Sequence, residues 1–317
     1  MKAQRGSAWI NVGTLLLVNL LWAVQYPAYK IAGNHMEAAA LNFWMLLFAA
    51  TLLAPPWLGE RRKRKSTHRV AQWKAVREFL LLGLLGIIPP SVMLSWGISH
   101  SSASNAAILS LTIPVLMTGL GCLMLREKLT LIRVLSLMLG LVGTLLISTS
   151  DLAQASFSRG LLVGNFVILI AGLGSAFYST YSKDLLSRYS GLEVLIRSYA
   201  IGAAACAVIS TVFENKPFYR FTGYTYATWL AIIVLGGLSW GVAMILWMWV
   251  LNRLEVGQVS TSIYLLPFFG LILSIVTIHE RITMWQVLGG VLTVAGTITL
   301  TLFEGRRAAQ VAESGST

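Results

Sequence analysis

Asn11, Asn19, Trp22, Tyr26 and Lys30 share one apolar stretch, and wound at about 100° per residue they fall within about a third of a helix's circumference. A polar and aromatic stripe of this kind is costly against lipid, so it faces either neighbouring protein or a water-filled cavity. Met93, Trp96 and His100 form a second such face, and Trp240, Met244 and Trp247 a third. Side chains like these either pack helices together or line a path for a small molecule. Asn105 and Thr112 in one stretch, and Gln258, Thr261, Ser262 and Tyr264 in another, offer hydrogen bonds to a polar solute. Serine and threonine can instead bond their own backbone. Lys30 and Lys183 stand near the ends of apolar runs, where a lysine either snorkels to the interface or meets an anionic group. Arg197 follows Glu193 by four residues, so an ion pair along one helix competes with a role in binding.

The same inventory argues against an enzyme. His35, His68, His100 and His279 are scattered without metal-ligand spacing, and no arrangement supplies a nucleophile with an oriented base. No metal and no cofactor are expected. The 12 acidic residues all fall in connectors or within about two turns of an expected helix end, so no mid-membrane carboxylate is available to carry protons. His100 is a weak alternative, because it stands at a helix end. Facilitated diffusion or substrate exchange is the expectation.

The elements that must position these residues follow from composition. Of 317 residues 56% are apolar and 11% charged, whereas soluble domains carry about 25% charged residues. A soluble globular protein is excluded. A bilayer-spanning helix needs roughly 20 mostly apolar residues, and the sequence predicts ten, over about 8–31, 37–58, 79–100, 102–125, 131–149, 160–182, 192–213, 227–251, 256–278 and 284–303. No room remains for a separate soluble domain. Unpaired backbone groups are not tolerated in hydrocarbon and alternating barrel patterns are absent, so the class is an all-α integral membrane protein.

The net charge of +12 reports orientation, not a nucleic-acid partner. Arg61, Arg62, Lys63, Arg64, Lys65, Arg69, Lys74 and Arg77 crowd one connector, a third of the 24 basic residues, and such a cluster stays cytoplasmic. With an even number of helices, both termini are then cytoplasmic. Lys2 and Arg5 precede the first run as they would in a signal peptide, but the run is of spanning length and is read as a retained helix. Cys122 and Cys206 lie within apolar runs and read as small core residues.

The chain also matches itself without gaps at an offset of 153 residues. Trp96 pairs with Trp249, Pro114 with Pro267, Glu127 with Glu280, Thr130 with Thr283, Gly143 with Gly296, Thr144 with Thr297 and Lys30 with Lys183. Two homologous halves are expected, residues 1–153 and 154–317. Five helices is an odd number, so the second half enters the membrane from the opposite side and the repeat is inverted. Two such bundles have two nearly mirror-related arrangements, one open to each side, and alternating access follows from that symmetry. Trp22 and Tyr26 face small twins, Ser175 and Ser179, which would make a central cavity asymmetric. Ser136, Gly140 and Thr144, with twins Gly289, Thr293 and Thr297, permit close packing either within the chain or at a dimer seam.

Pro114, the run Leu125, Arg126, Glu127, Lys128, Leu129, Thr130 and the glycine-rich helix after it resemble the EamA-type repeat of the drug/metabolite transporter superfamily. The twin run resembles it too, with Pro267, then His279, Glu280, Arg281, Ile282, Thr283, then Gly289, Gly290 and Gly296. The resemblance implies ten helices as two inverted five-helix bundles, with a cavity lined by helices 3, 4, 8 and 9 and contributions from 1 and 6. It implies a bacterial inner-membrane carrier exporting or exchanging amino acids or related small metabolites, as a monomer or homodimer in the lipid bilayer. Alternatives are an antiporter of phosphorylated or nucleotide-linked sugars within the same superfamily, or a receptor or enzyme that transports nothing. Many relatives carry a basic residue early in helix 2, where this chain has Trp44, while the twin position keeps Arg197. Glu127 and Glu280 stand at the ends of helices 4 and 9 beside Thr130 and Thr283, which are placed to cap the helices that follow. Turn-building is the plain role for these glutamates and a direct part in gating the sharper one.

Overall fold

A computed structural model describes residues 2–63, 72–101, 109–148, 161–220, 223–278 and 284–314. Among them the chain forms ten helical rods and no strand. We number them α1 (Lys2–Ala23, continued by Gln25–Gly33), α2 (Ala38–Lys63), α3 (Gln72–Gly86, Pro89–Met93 and Leu94–Ser99), α4 (Ile113–Leu125) and α5 (Leu131–Ile147). In the second half follow α6 (Leu162–Leu186), α7 (Gly191–Phe213), α8 (Tyr226–Val234, Leu235–Val242 and Ala243–Arg253), α9 (Val256–Ser260, Thr261–Tyr264 and Leu265–Ile278) and α10 (Met284–Ser314). Among the described residues six helical runs, in α2, α3, α6, α7, α8 and α10, are long and apolar enough to cross a membrane.

Four rods depart from the uninterrupted helices expected of them. α1 breaks at Val24, three residues before Pro27, a residue with no N–H to give the carbonyl of Ala23. α3 passes through a π segment at Pro89–Met93, where two adjacent prolines withdraw donors from the preceding turn. α8 has a longer π segment, Leu235–Val242, built around Gly236, Gly237 and Gly241. α9 tightens into a 3-10 turn at Thr261–Tyr264. α3 also begins earlier than expected, at Gln72, so Glu78 lies inside the helix and is buried instead of sitting at its end.

Several of the main contacts recur when the halves are exchanged. α3 lies against α6 as its twin α8 lies against α1, α4 against α6 as α9 against α1, and α7 against α3 as α2 against α8. Three pairs are twins of each other and meet directly: α2 with α7, α4 with α9 and α5 with α10. The α5–α10 crossing is close because glycine meets glycine: a Cβ on Gly143 would stand 2.6 Å from the Gly289 carbonyl oxygen, and a Cβ on Gly289 would strike the Gly143 carbonyl oxygen. The small-residue stripe thus serves packing within the chain. At one end of the bundle α2 and α7 exchange carboxylates. Glu214 accepts from the Ala39 and Ala40 N–H groups at 2.5 and 2.9 Å, and Glu37 accepts from those of Asn215 and Lys216 at 3.1 and 3.0 Å. Glu214 thereby takes up N–H groups that the first turn of α2 leaves unpaired, and Glu37 takes up those of the connector just past the end of α7. The other end carries Arg61, Arg62 and Lys63 on the last turn of α2, with Lys74 and Arg77 on the first turns of α3.

Candidate functional site

On α1, Asn11 and Asn19 are buried, and Asn19 donates to the Leu15 carbonyl at 2.8 Å. One helical step on, Trp22 interlocks with the π segment of α8. Its indole N–H donates to the Ser239 carbonyl at 3.2 Å, and the Ser239 hydroxyl donates back to the Leu21 carbonyl at 3.0 Å. A π segment displaces carbonyls from their helical partners, and here side chains from other helices take them up. Tyr199 of α7 does so as well, donating to the Trp240 carbonyl at 2.8 Å with the two rings 5.8 Å apart. Trp247, fully buried, lies 5.0 Å from Trp22 between ring centroids, and Met244 is buried one turn before it. Trp22, Trp240, Met244 and Trp247 therefore gather at one α1–α7–α8 junction.

The symmetry-related α3–α6 junction is built differently. Glycines replace the hydrogen bonds: a Cβ on Gly174 would stand 3.0 Å from the Leu85 carbonyl oxygen, and one on Gly86 would press on Tyr178 at 2.9 Å. Met93 is half-buried at the end of the π segment, with Ser175 half-buried and Ser179 buried on α6. At the end of α3, exposed Trp96 stacks on His100 with centroids 3.8 Å apart, and His100 Nδ1 is 3.0 Å from the Trp96 carbonyl oxygen. Ser101 there donates to Asn165 Oδ1 of α6 at 2.5 Å.

Where α4 meets α9 the contacts run antiparallel. Tyr264, buried, donates its hydroxyl to the Leu111 carbonyl at 3.2 Å, and its ring occupies the space left by Gly140 of α5. Thr112 donates to the Leu109 carbonyl at 2.7 Å, just before buried Pro114 opens α4. Next, Thr118 and Ser260 bring their hydroxyls within 3.0 Å. Thr261 and Ser262 donate to the carbonyls of Gln258 and Val259, the local bonding open to such side chains. Gln258 accepts from the Glu255 N–H at 2.9 Å, and Pro267 stands half-buried in the first turn after the 3-10 segment, where its missing N–H is tolerated. The 3-10 turn is held from outside by twin threonines: Thr144 donates to the Tyr264 carbonyl at 3.3 Å and Thr297 to the Thr261 carbonyl at 3.4 Å.

The α4–α9 contact ends in a charged cluster. Leu125 closes α4, Arg126 turns left-handed at φ 56°, and Glu127 points at the start of α9. Its carboxylate accepts from the Val256 and Gly257 N–H groups at 2.6 and 2.9 Å. Arg133, buried on the first turn of α5, is 3.5 Å from that carboxylate, donates to the Lys128 carbonyl at 2.9 Å and pairs with Glu255. Burial pushes the Glu127 carboxyl above the usual carboxylate range; hydrogen bonds from the Gly257 and Val256 N–H groups hold the rise back, the charge of Glu255 adds to it and Arg133 opposes it. Lys183 of α6 donates to the Leu251 and Asn252 carbonyls at 2.6 and 3.3 Å, the position of a cation at a helix C-terminus. Nearby at this end Arg188 pairs with Glu78, Tyr189 donates to Glu78 at 3.0 Å, and Arg197 pairs with Glu193 at 2.6 Å while its guanidinium lies 4.9 Å from the centre of the Phe79 ring. Thr130 accepts from the Arg133 N–H at 3.3 Å and caps α5.

Tyr26 and Lys30 belong to the second segment of α1, but their side chains, like all of Asn105 and Glu280, lie outside the described residues. The residues singled out from the sequence therefore occupy four places: the α1–α8 junction, the α3–α6 junction, the α9 turn and the charged end. Arg133, Glu255, Tyr199, Ser239, Thr118 and Ser260 were not among them. Arg133 had a signal, as a lone charge in a 17-residue helix of otherwise apolar and small residues.

The sequence model of the EamA-like transporter family matches residues 9–149 and again 162–302, so both limits of the second match fall 153 positions after those of the first. An uncharacterized transporter of Bacillus subtilis, YoaV, is 24% identical over 293 residues, which cover 92% of this chain and 97% of that one. A protein of Streptantibioticus cattleyicolor described as a probable terminal-alkyne amino-acid exporter is 26% identical over 291 residues, 91% of this chain and 92% of that one. A crystal structure 19% identical in sequence superposes with a TM-score of 0.77 over 96% of this chain and 99% of its own, a likeness of fold.

Proposed function

The chain belongs to the EamA-like transporter family, a multi-pass all-helical membrane protein of two EamA repeats, and we propose that it is a secondary carrier that exports or exchanges amino acids or related small metabolites by alternating access. The observation that carries this is the double family match at a single offset, joined to helix contacts around α1 and α6 that recur when the halves trade places. Two halves of that kind can swap roles and present one site to each side in turn. Support for an amino acid comes from the Streptantibioticus exporter, whose similarity runs nearly end to end. We divide the repeats at residues 153 and 154.

In this reading the basic end is cytoplasmic, by the excess of Arg61, Arg62, Lys63, Lys74 and Arg77 there, and both termini face the cytoplasm of a bacterial inner membrane. Trp22, Trp240 and Trp247 form one wall of the path, Trp96 and His100 its far mouth, and Lys183 stands ready to meet a carboxylate when it leaves the end of α8. Transport is uniport or exchange. The test is flux of a radiolabelled mixture of L-amino acids through purified protein in liposomes. Counterflow above protein-free liposomes is expected; none for amino acids or for sugar phosphates would reject the carrier.

A further inference from the structure

Glu127 belongs to the first half and the two N–H groups it holds belong to the second. The capping box of Glu255 and Gln258 serves the ends of the first turn of α9 and leaves the Val256 and Gly257 N–H groups open, and it is the other half of the chain that caps these two through Glu127. The carboxylate thereby ties together two twin helices whose approach must change if the halves exchange roles. Room has been made for it on both sides. A Cβ on Gly121 of α4 would stand 2.9 Å from Glu127 Oε2, and one on Gly257 would stand 3.2 Å from an Arg133 nitrogen and 3.4 Å from that same oxygen. Arg133 fixes the carboxylate from behind while reaching Glu255 across the gap. Below the carboxylate the two helices touch again at Gly121 and Val256, then at Thr118 and Ser260, so the cluster seals one end of a continuous seam.

We propose that Glu127 is the contact that holds the cytoplasmic end of the path shut, by grasping the start of α9 from the other half, with Arg133 as its positioning residue. The inference rests on the carrier and its orientation as read above. Opening exchanges two charge-assisted hydrogen bonds for bonds to water, a change small enough to reverse in each cycle. Release of Val256 and Gly257 frees the first turn of α9, and the seam parts from that end toward Tyr264.

Two measurements test this, both in protein whose native cysteines are replaced (C122S, C206A). The first is the rate at which an impermeant maleimide labels Ser260→Cys from each face of oriented membrane vesicles. Glu127→Ala, or Glu127→Gln if the alanine variant does not fold, should speed labelling from the cytoplasmic face at least fivefold and leave the other face unchanged. An unchanged rate overturns the proposal, and so does an equal rise from both faces, which would mean a merely loosened fold. The second uses Thr118→Cys with Ser260→Cys, which replace two hydroxyls that already lie 3.0 Å apart across the seam and leave Glu127 in place. Oxidation should abolish counterflow of the labelled amino-acid mixture and dithiothreitol should restore it; oxidised protein that transports like reduced protein overturns the proposal. If protein without the crosslink carries no amino acid, the carrier reading fails and the labelling experiment still decides the role of Glu127. Labelling that rises only from the outer face would contradict the orientation as well as the latch as stated.

Discussion

Tyr264 donates its hydroxyl to the carbonyl of Leu111, the residue 153 positions earlier that occupies its own place in the first repeat. Twin positions thus touch where the two halves meet, and only one of the twins has a polar group to offer. The ring is seated by Gly140, which leaves no space for a side chain.

Tyr264→Phe keeps that packing and loses one buried hydrogen bond, which should lower stability by about 1 kcal/mol. Gly140→Ala places a methyl group where the ring lies and should cost more, about 1–3 kcal/mol. Thermal unfolding in detergent ranks the two; an alanine variant as stable as wild type would refute this account of the wedge.

At the α5–α10 crossing each glycine approaches the other's carbonyl, and a backbone cannot give way as a side-chain tip can. Gly143→Leu or Gly289→Leu should lower the unfolding temperature sharply without changing the particle mass measured by light scattering. A change of mass with unchanged stability would move this seam to a contact between copies.

Orientation is checked with single cysteines and an impermeant thiol reagent on intact cells. A cysteine replacing Ser66, in the basic connector outside the described residues, should be shielded. One replacing Lys216, exposed in the connector after α7, should react. The reverse pattern would turn the molecule over.

Energy coupling follows from where the acids lie. Glu78, Glu127, Glu193 and Glu255 are engaged at the basic end and Glu37 and Glu214 at the other, all with named partners. His100 stacks on Trp96 at a rod's end. Proteoliposomes given only a pH gradient, with equal amino acid on both sides and the membrane potential clamped, should accumulate nothing. Sustained uphill accumulation would refute uncoupled transport, and its loss in His100→Ala would identify the proton carrier.

The ten rods and the duplication were legible in the sequence, since length and apolarity alone define a spanning helix and Trp96, Pro114 and Glu127 each recur at one offset. The interruptions were not. A helix that is apolar on all sides has no polar face whose phase could betray a π turn, so Gly236, Gly237 and Gly241 marked a weak point in Leu235–Val242 without specifying its geometry. Pro27 did carry the signal for the break in α1, and the Pro89–Pro90 pair for the one in α3. Glu127 was visible as a helix-end residue in a motif, but its partners lie 129 and 130 positions away, beyond any local pattern. Lys183 likewise looked like an interfacial lysine, and only the fold brings the end of α8 to it.

The two junctions that symmetry makes equivalent are not made of the same material: glycine against backbone where α3 meets α6, and a tryptophan and a serine trading hydrogen bonds where α1 meets α8. Under the proposed alternating access, identical halves would make the inward- and outward-facing forms copies related by a two-fold rotation and equally populated at rest. Each mismatched twin adds weight to one form, and about 1.4 kcal/mol is enough to leave the other at roughly a tenth of its abundance. On that reading the duplication supplies two destinations, and the differences accumulated between Trp22 and Ser175, or Tyr264 and Leu111, set the one at which an idle molecule waits.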